Sequence, residues 1–216
     1  MTPTNSSLYA VLTTDIVHST KLGSDDYSAV MKALKAILIS HQERYQSQFE
    51  IFRGDSFQVL YPKVDEAMKA SLSLRLYLQS GVDCPAVKLT QSIAIGTVDK
   101  GSESLGSSLG EAFVLSGRSL DDASRGDLTL SFGRDFVNRD LTVSTLFLQH
   151  LLNGLTKKQA EVLFYYIDFG YPEHQFIADY MKQSRQNITA HLKRSGAELV
   201  KTYLLAYKNT CLGEGQ

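Results

Sequence analysis

Cysteine is scarce in this 216-residue chain. Its two cysteines, Cys84 and Cys211, lie far apart and in no metal-type spacing. That excludes a cysteine-based zinc module and a disulfide framework, and it predicts two free thiols in a reducing compartment. Long hydrophobic runs are also missing: no apolar stretch approaches the roughly 18 residues that a membrane-spanning helix requires, and no basic, apolar leader opens the sequence. The expectation is a cytoplasmic protein with no membrane contact. Net charge is nearly absent too, at −1, so no strongly basic or acidic balance points to a partner. Its distribution is slightly uneven. From Ser144 onward there are 8 Lys and Arg against 6 Asp and Glu, whereas the preceding part has 14 against 17. A nucleic-acid contact in the tail is compatible with this excess but not required by it.

What is present is an ordinary globular composition, 43% hydrophobic and 21% charged, with room for one large domain or two small ones. The stretch "LYAVL", residues 8–12, is apolar on both faces, as in a strand covered on both sides. A loop over Val17 to Gly23 follows, with a cap at 24–26 and an amphipathic helix from Tyr27 to Tyr45. The runs "FEIF" and "FQVLYP" flank a turn at Gly54 and Asp55 and predict a hairpin. A second amphipathic helix is expected over Val64 to Leu78, a strand over 87–98, an exposed Gly- and Ser-rich loop over 99–111, a helix over Glu111 to Ala123 and a strand at Leu128 to Phe132. The order is ferredoxin-like, an α+β arrangement with helices expected on one face of an antiparallel sheet.

In that order the acid of "TTDIVHST", Asp15, falls where the first strand ends, and Asp55 tips the neighbouring hairpin. Two convergent carboxylates suit Mg²⁺ or Mn²⁺, which take a few carboxylate oxygens and fill their remaining positions with water and phosphate. The turn after Asp15 offers the backbone N–H groups of Val17, His18, Ser19 and Thr20 to phosphate oxygens. Taken singly, Asp15 and Asp55 also read as ordinary turn residues.

These residues carry a resemblance. "TTDIVHSTKL" is similar to the opening motif of class III nucleotidyl cyclase catalytic domains, and "FRGDSFQVLYP" resembles their G-D hairpin. The resemblance implies Asp15 and Asp55 as metal ligands with the backbone carbonyl of Ile16. It also implies, through "GEAFVLSGR", a transition-state arginine at Arg118. Two positions depart from the pattern. Val114 stands where the family has an asparagine that orients the ribose, and Ile51 where it has a purine-contacting lysine. Neither side chain can form a hydrogen bond, so polyphosphate binding is expected to outlast the alignment that cyclisation needs.

From about Leu141 the pattern is helical only. A break is expected at Asn153-Gly154 and a cap at Thr156. Phe176, Ile177 and Tyr180, the turn "KQS", then Ile188 and Leu192 give the spacing of a helix-turn-helix, with Ala178 as the small residue at the crossing. The outer face of the second helix combines Ser184, Arg185, Gln186, Asn187, Thr189, His191, Lys193 and Arg194, groups suited to base edges and phosphates. A polar, solvated helix face is the alternative.

A class III cyclase-like domain, residues 1–140, followed by a helix-turn-helix DNA-binding domain, residues 141–216, resembles the SatD family of bacterial proteins. That resemblance implies a DNA-binding transcriptional regulator, homodimeric, whose first domain senses a nucleoside triphosphate or related ligand. An active cyclase carrying a DNA-binding tail, and an interaction protein whose tail binds another protein, stand beside it.

Overall fold

The computed structural model describes residues 8–52, 54–98, 105, 110–134 and 138–213. Most of the expected 99–111 loop therefore lies outside the described residues. The element order is β1 (Leu8–Ile16), a 3-10 turn (Ser19–Lys21), α1 (Ser24–Tyr45), β2 (Gln48–Phe52), β3 (Ser56–Tyr61), α2 (Val64–Ser80), β4 (Leu89–Thr97), α3 (Glu111–Asp121) and β5 (Leu128–Phe132). Five helices follow: α4 (Arg139–Asn153), α5 (Lys157–Asp168), α6 (His174–Tyr180), α7 (Arg185–Arg194) and α8 (Ala197–Leu212).

The sheet order is β2-β3-β1-β4-β5. Its first four strands are antiparallel neighbours in the expected ferredoxin-like order, but β5 joins β4 in parallel, making the sheet mixed. The helices also differ from expectation, because they occupy both faces. Ala10, Leu12 and Ile16 of β1 enter the main core with Val30, Leu34 and Leu38 of α1 and Leu72 of α2. Val11 points the other way and packs with Ala112 and Phe113 of α3. On that second face Thr13 Oγ1 lies 2.8 Å from Ser116 Oγ. The reason is the apolar character of both faces of β1: alternate residues of a strand point to opposite sides, and each side has to be covered.

The helix α2 departs from its sequence pattern as well. It reads as amphipathic, yet Ala67, Met68, Ala70 and the stretch from Ser71 to Leu76 are all buried. It runs between the sheet and a layer made by α5 and α8. Helices buried on every side need their polar groups satisfied internally, and those of α2 reach the surrounding elements. Gln79 Nε2 donates to Leu152 O at 3.0 Å, and Arg75 donates to Leu89 O at 2.9 Å and to Asn153 Oδ1 at 2.9 Å.

The C-terminal helices thus share one buried cluster with the sheet, and Val162, Leu163, Ile177, Ile188 and Val200 belong to it. Tyr207 Oη donates to Val64 O at 2.9 Å. Local signals set the helix ends. Asn138 caps α4 by accepting from Leu141 N, and Thr156 with Gln159 forms a capping box on α5, which satisfies N–H groups that the first turn leaves free. Both cysteines are free thiols; Cys84 is buried and Cys211 half-buried.

Candidate functional site

Asp15 is the penultimate residue of β1, one position inside the strand end. It stands opposite Ser56 of β3 and Thr90 of β4. Next to it, Ile16 N donates to Asp55 O at 3.0 Å, which places the two acidic residues at adjacent register positions. Asp15 and Asp55 are both half-buried.

The hairpin tip is held by two contacts. Gly54 adopts φ +84°, a left-handed conformation open to glycine. Tyr27 Oη donates to Gly54 O at 2.7 Å. Ser19 Oγ donates to Asp55 Oδ2 at 2.6 Å, tying the turn after β1 to this carboxylate. Tyr27 was legible only as a position on the first helix; no sequence signal announced a bond across 27 residues.

The turn itself differs from the expected phosphate cradle at one residue. Val17 N donates to Lys88 O at 2.9 Å, extending the β1–β4 ladder by one residue, so its N–H is already used. Three groups remain. His18 is exposed in a left-handed conformation, φ 59°, and opens the 3-10 turn. Nothing among the described residues accepts from the backbone N–H groups of His18, Ser19 or Thr20.

Among the described residues no group of three or more His, Cys, Asp and Glu side chains converges on a common point. Two carboxylates and the Ile16 carbonyl are nevertheless an oxygen set of the kind Mg²⁺ and Mn²⁺ accept when water and phosphate complete the shell. The donor set fits such an ion with substrate oxygens. It does not make a closed protein cage.

Arg118 forms no hydrogen bond or ion pair with Asp15 or Asp55 among the described residues. It is exposed on α3, two residues beyond the buried Ser116, and its guanidinium has no hydrogen-bond or ion-pair partner among the described residues. Val114 is 45% exposed on the same helix. Ile51 lies opposite Phe57 and packs against the main core. Thr13, whose register position is two before Asp15, bonds to α3 on the other side of the sheet. Ile51 therefore lies on the sheet face away from Asp15, since residues two apart in a strand share a face.

At the other end of the molecule, α6 and α7 are joined by a short turn over 181–184. Ala178 is fully buried at their junction. Lys182 takes φ 53°, and Gln183 N donates to Ala178 O at 2.9 Å, closing the turn. Ser184 caps α7 by accepting from Asn187 N at 3.2 Å, so its hydroxyl has a structural task. The inner face of α7 is Ile188 and Leu192, both buried. Arg185, Gln186, Asn187, Thr189, Lys193 and Arg194 are exposed.

Two of the expected outer residues have partners or shelter. Thr189 Oγ1 lies 2.9 Å from His174 Nδ1. His191 is half-buried against α5, with Nδ1 sealed and no hydrogen-bond partner among the described residues. Burial holds its imidazole below the ordinary value, and Arg194 and Lys158 push the same way. A neutral, half-sheltered ring is a weaker phosphate contact than the exposed cations Lys193 and Arg194.

No protein-family model matches this chain, and neither does any curated protein sequence. Solved structures that resemble part of it are nucleotidyl cyclase domains. One is the catalytic core of a rhodopsin-guanylyl cyclase with converted specificity in complex with ATPαS, at 14% identity, covering 58% of this chain and 77% of that one, TM-score 0.49. Another is the guanylate cyclase domain of RhGC from Catenaria anguillulae in complex with GTP, at 15% identity, 58% and 78% coverage, TM-score 0.48. The adenylyl cyclase CyaB from P. aeruginosa matches at 15% identity, 57% and 76% coverage, TM-score 0.45. No helix among the described residues is long and apolar enough to cross a membrane.

Proposed function

We propose that the protein is a DNA-binding transcriptional regulator in which residues 141–216 contact DNA and residues 1–140 bind a nucleotide or phosphate ligand with Mg²⁺ or Mn²⁺. The observation that carries this reading is α7. Ile188 and Leu192 are turned inward, while Arg185, Gln186, Asn187 and Thr189 stand exposed over its first half and Lys193 and Arg194 at its C-terminal end. In a recognition helix the N-terminal residues meet base edges, and cations further along meet phosphates. Because α5, α7 and α8 share a core with α2 and the sheet, a ligand at Asp15 and Asp55 has a packed route to the reader helix.

The test compares binding to a random-sequence DNA pool and to fragments enriched from it. Arg185→Ala and Asn187→Ala are expected to lose preference among sequences, and Lys193→Ala to weaken binding evenly with a salt slope smaller by about 1. Equal losses on every sequence for all three variants would contradict direct readout.

A second reading, an active class III cyclase, is favoured by the adjacency of Asp15 and Asp55. Against it stand the exposed Val114 and the core-facing Ile51, which leave ribose and base without their family contacts. Incubation with Mn²⁺ and each nucleoside triphosphate decides between the two readings. A cyclic nucleotide made by the wild type and not by an Asp15→Ala, Asp55→Ala variant would establish the enzyme.

A further inference from the structure

β5 is the last strand of the sheet, and only one of its edges is paired. Gln91 N donates to Asp127 O at 2.8 Å and Gly133 N to Ile95 O at 2.7 Å, so the odd-numbered residues of β5 bond to β4 and the even-numbered ones point outward. Of the outward groups, Leu128 N donates to Gln149 Oε1 at 3.2 Å. The N–H and C=O of Leu130 have no hydrogen-bond partner among the described residues, although Leu130 is only 4% exposed. Buried backbone groups left unpaired are rare, and a bare strand edge is a template for another chain. Leu130 opens on a cleft of about 300 Å³ between α3 and α4, walled by Ser119 and Asp122 of α3, Ser131 of β5, and Thr142 and Leu146 of α4. Ser119 Oγ and Ser131 Oγ lie 2.8 Å apart and join two of these walls. That volume is at the small end of the range for ligand sites.

We propose that this cleft binds the amino terminus of a short peptide, which lies along β5 and hydrogen-bonds to the Leu130 N–H and C=O. Three features select that ligand. The first is the free edge itself, a donor and an acceptor on one extended residue, which the main chain of a second extended segment matches. The second is Gln149. It takes the Leu128 N–H and donates to Asp127 Oδ1 at 2.6 Å, so a chain added to this edge cannot continue past Leu128 and has to end there. The third is charge, which decides between the two kinds of chain end. Asp122 and Asp127 line the cleft and no Lys, Arg or His does, so an ammonium is attracted and a carboxylate repelled. Asp127 is held by Gln149 and by Ser124 N at 2.9 Å. The Asp122 carboxylate has no hydrogen-bond or ion-pair partner among the described residues and is free for the amine.

Arg118 and Arg125 belong to the same stretch of chain but line no part of the cleft. With its amino end at Leu128, the peptide runs parallel to β5. Neither Asp15, Asp55 nor any residue of α7 is among the lining residues, so the site stands apart from both the nucleotide reading and the DNA reading.

The test uses the full chain, isotope-labelled for NMR, with trialanine as the probe, because methyl side chains leave only the main chain and the amine to be recognised. At about 10 mM trialanine the Leu130 amide signal is expected to shift and its hydrogen exchange to slow roughly tenfold. N-acetyl-trialanine, which lacks the ammonium, is expected to bind about tenfold more weakly. Asp122→Asn should shrink the difference between the two peptides. Thr142→Trp, at an exposed position on the cleft wall, should abolish binding of both, and each variant should melt like the wild type. A Leu130 signal that neither peptide moves overturns the proposal, as does equal binding of the two peptides by the wild type, an undiminished preference in Asp122→Asn, or a Thr142→Trp protein that binds as before. A longer peptide beginning Ala-Ala-Ala is expected to bind no more tightly than trialanine; tighter binding would replace the short peptide by the amino terminus of a protein and overturn the ligand assignment.

Discussion

Ser19 donates a 2.6 Å hydrogen bond to Asp55, a residue 36 positions further along the chain. The bond joins the turn that follows β1 to the tip of the β2–β3 hairpin. It uses one carboxylate oxygen and leaves the other for a ligand. Since a hydrogen bond to a carboxylate is charge-assisted, Ser19 orients the group as well as touching it.

That relationship predicts a graded loss. Asp55→Ala is expected to weaken binding of Mn²⁺ with a nucleoside triphosphate at least tenfold in calorimetry. Ser19→Ala is expected to weaken it by about three- to tenfold, the effect of about 1 kcal/mol of lost positioning. Unchanged affinity in Asp55→Ala would remove this pair as the binding site.

Much of this was legible in sequence because local chemistry marks it. The Gly54-Asp55 turn, the Thr156 cap and the inward pair Ile188 and Leu192 all follow from residue type and spacing. Long-range pairings were not legible. Val17 N–H is lost to Lys88 O because β4 happens to run antiparallel one residue past Asp15, and nothing in "DIVHST" carries that information. The enclosure of α2 was hidden for a related reason: Ser71, Arg75 and Gln79 fall at i, i+4 and i+8, a polar stripe until their partners on other elements are seen. That both faces of β1 are covered was legible in "LYAVL", but which helix covers the second face was not, because a covering helix announces itself only through its own apolar stripe, and Ala112, Phe113 and Ser116 make a narrow one.

The hairpin tip predicts a coupled pair. A Cβ added at Gly54 would lie 2.5 Å from Tyr27 Oη, and the residue sits at φ +84°. Gly54→Ala is expected to destabilise the protein by about 1–2 kcal/mol in urea titration, from backbone strain and the displaced tyrosine. In a Tyr27→Phe background the added cost should be smaller, because the obstructing hydroxyl is gone. Strict additivity of the two changes would mean that the tyrosine has no part in it.

His41 predicts an acid-sensitive fold. Burial, helped by the Arg44 charge, lowers its pKa from the usual 6.5 to about 4. The unfolded chain takes up a proton near pH 6.5 that the native state refuses until about pH 4. Stability is therefore fully present above pH 6.5 and falls as the pH drops through this window, by at most ~1.4 kcal/mol per pH unit from this group. A His41→Leu variant should show a shallower decline between pH 6.5 and 4 in denaturant titrations. An identical pH profile would assign the acid sensitivity elsewhere.

Arg75 predicts where the two halves of the molecule are joined. It is 2% exposed, and its guanidinium donates to Leu89 O, Gly126 O, Gln91 Oε1 and Asn153 Oδ1. Burial pulls its pKa down to about 10, with Asp127 opposing, so it stays charged at neutral pH. No carboxylate oxygen is among those acceptors; the charge is dispersed over carbonyl and amide oxygens of β4, the turn before β5 and the end of α4. Removing it leaves several buried acceptors without a donor, which costs more than the bonds themselves contribute. Arg75→Met, which keeps much of the side-chain volume, is expected to lose about 3 kcal/mol in urea unfolding, and Asn153→Ala roughly half of that. Amide exchange should accelerate most at the end of α4 and in β5, the elements this one side chain ties to α2. A loss below about 1 kcal/mol in Arg75→Met, with exchange unchanged at both places, would show that apolar packing of α5 and α8 on α2 holds the halves together without it.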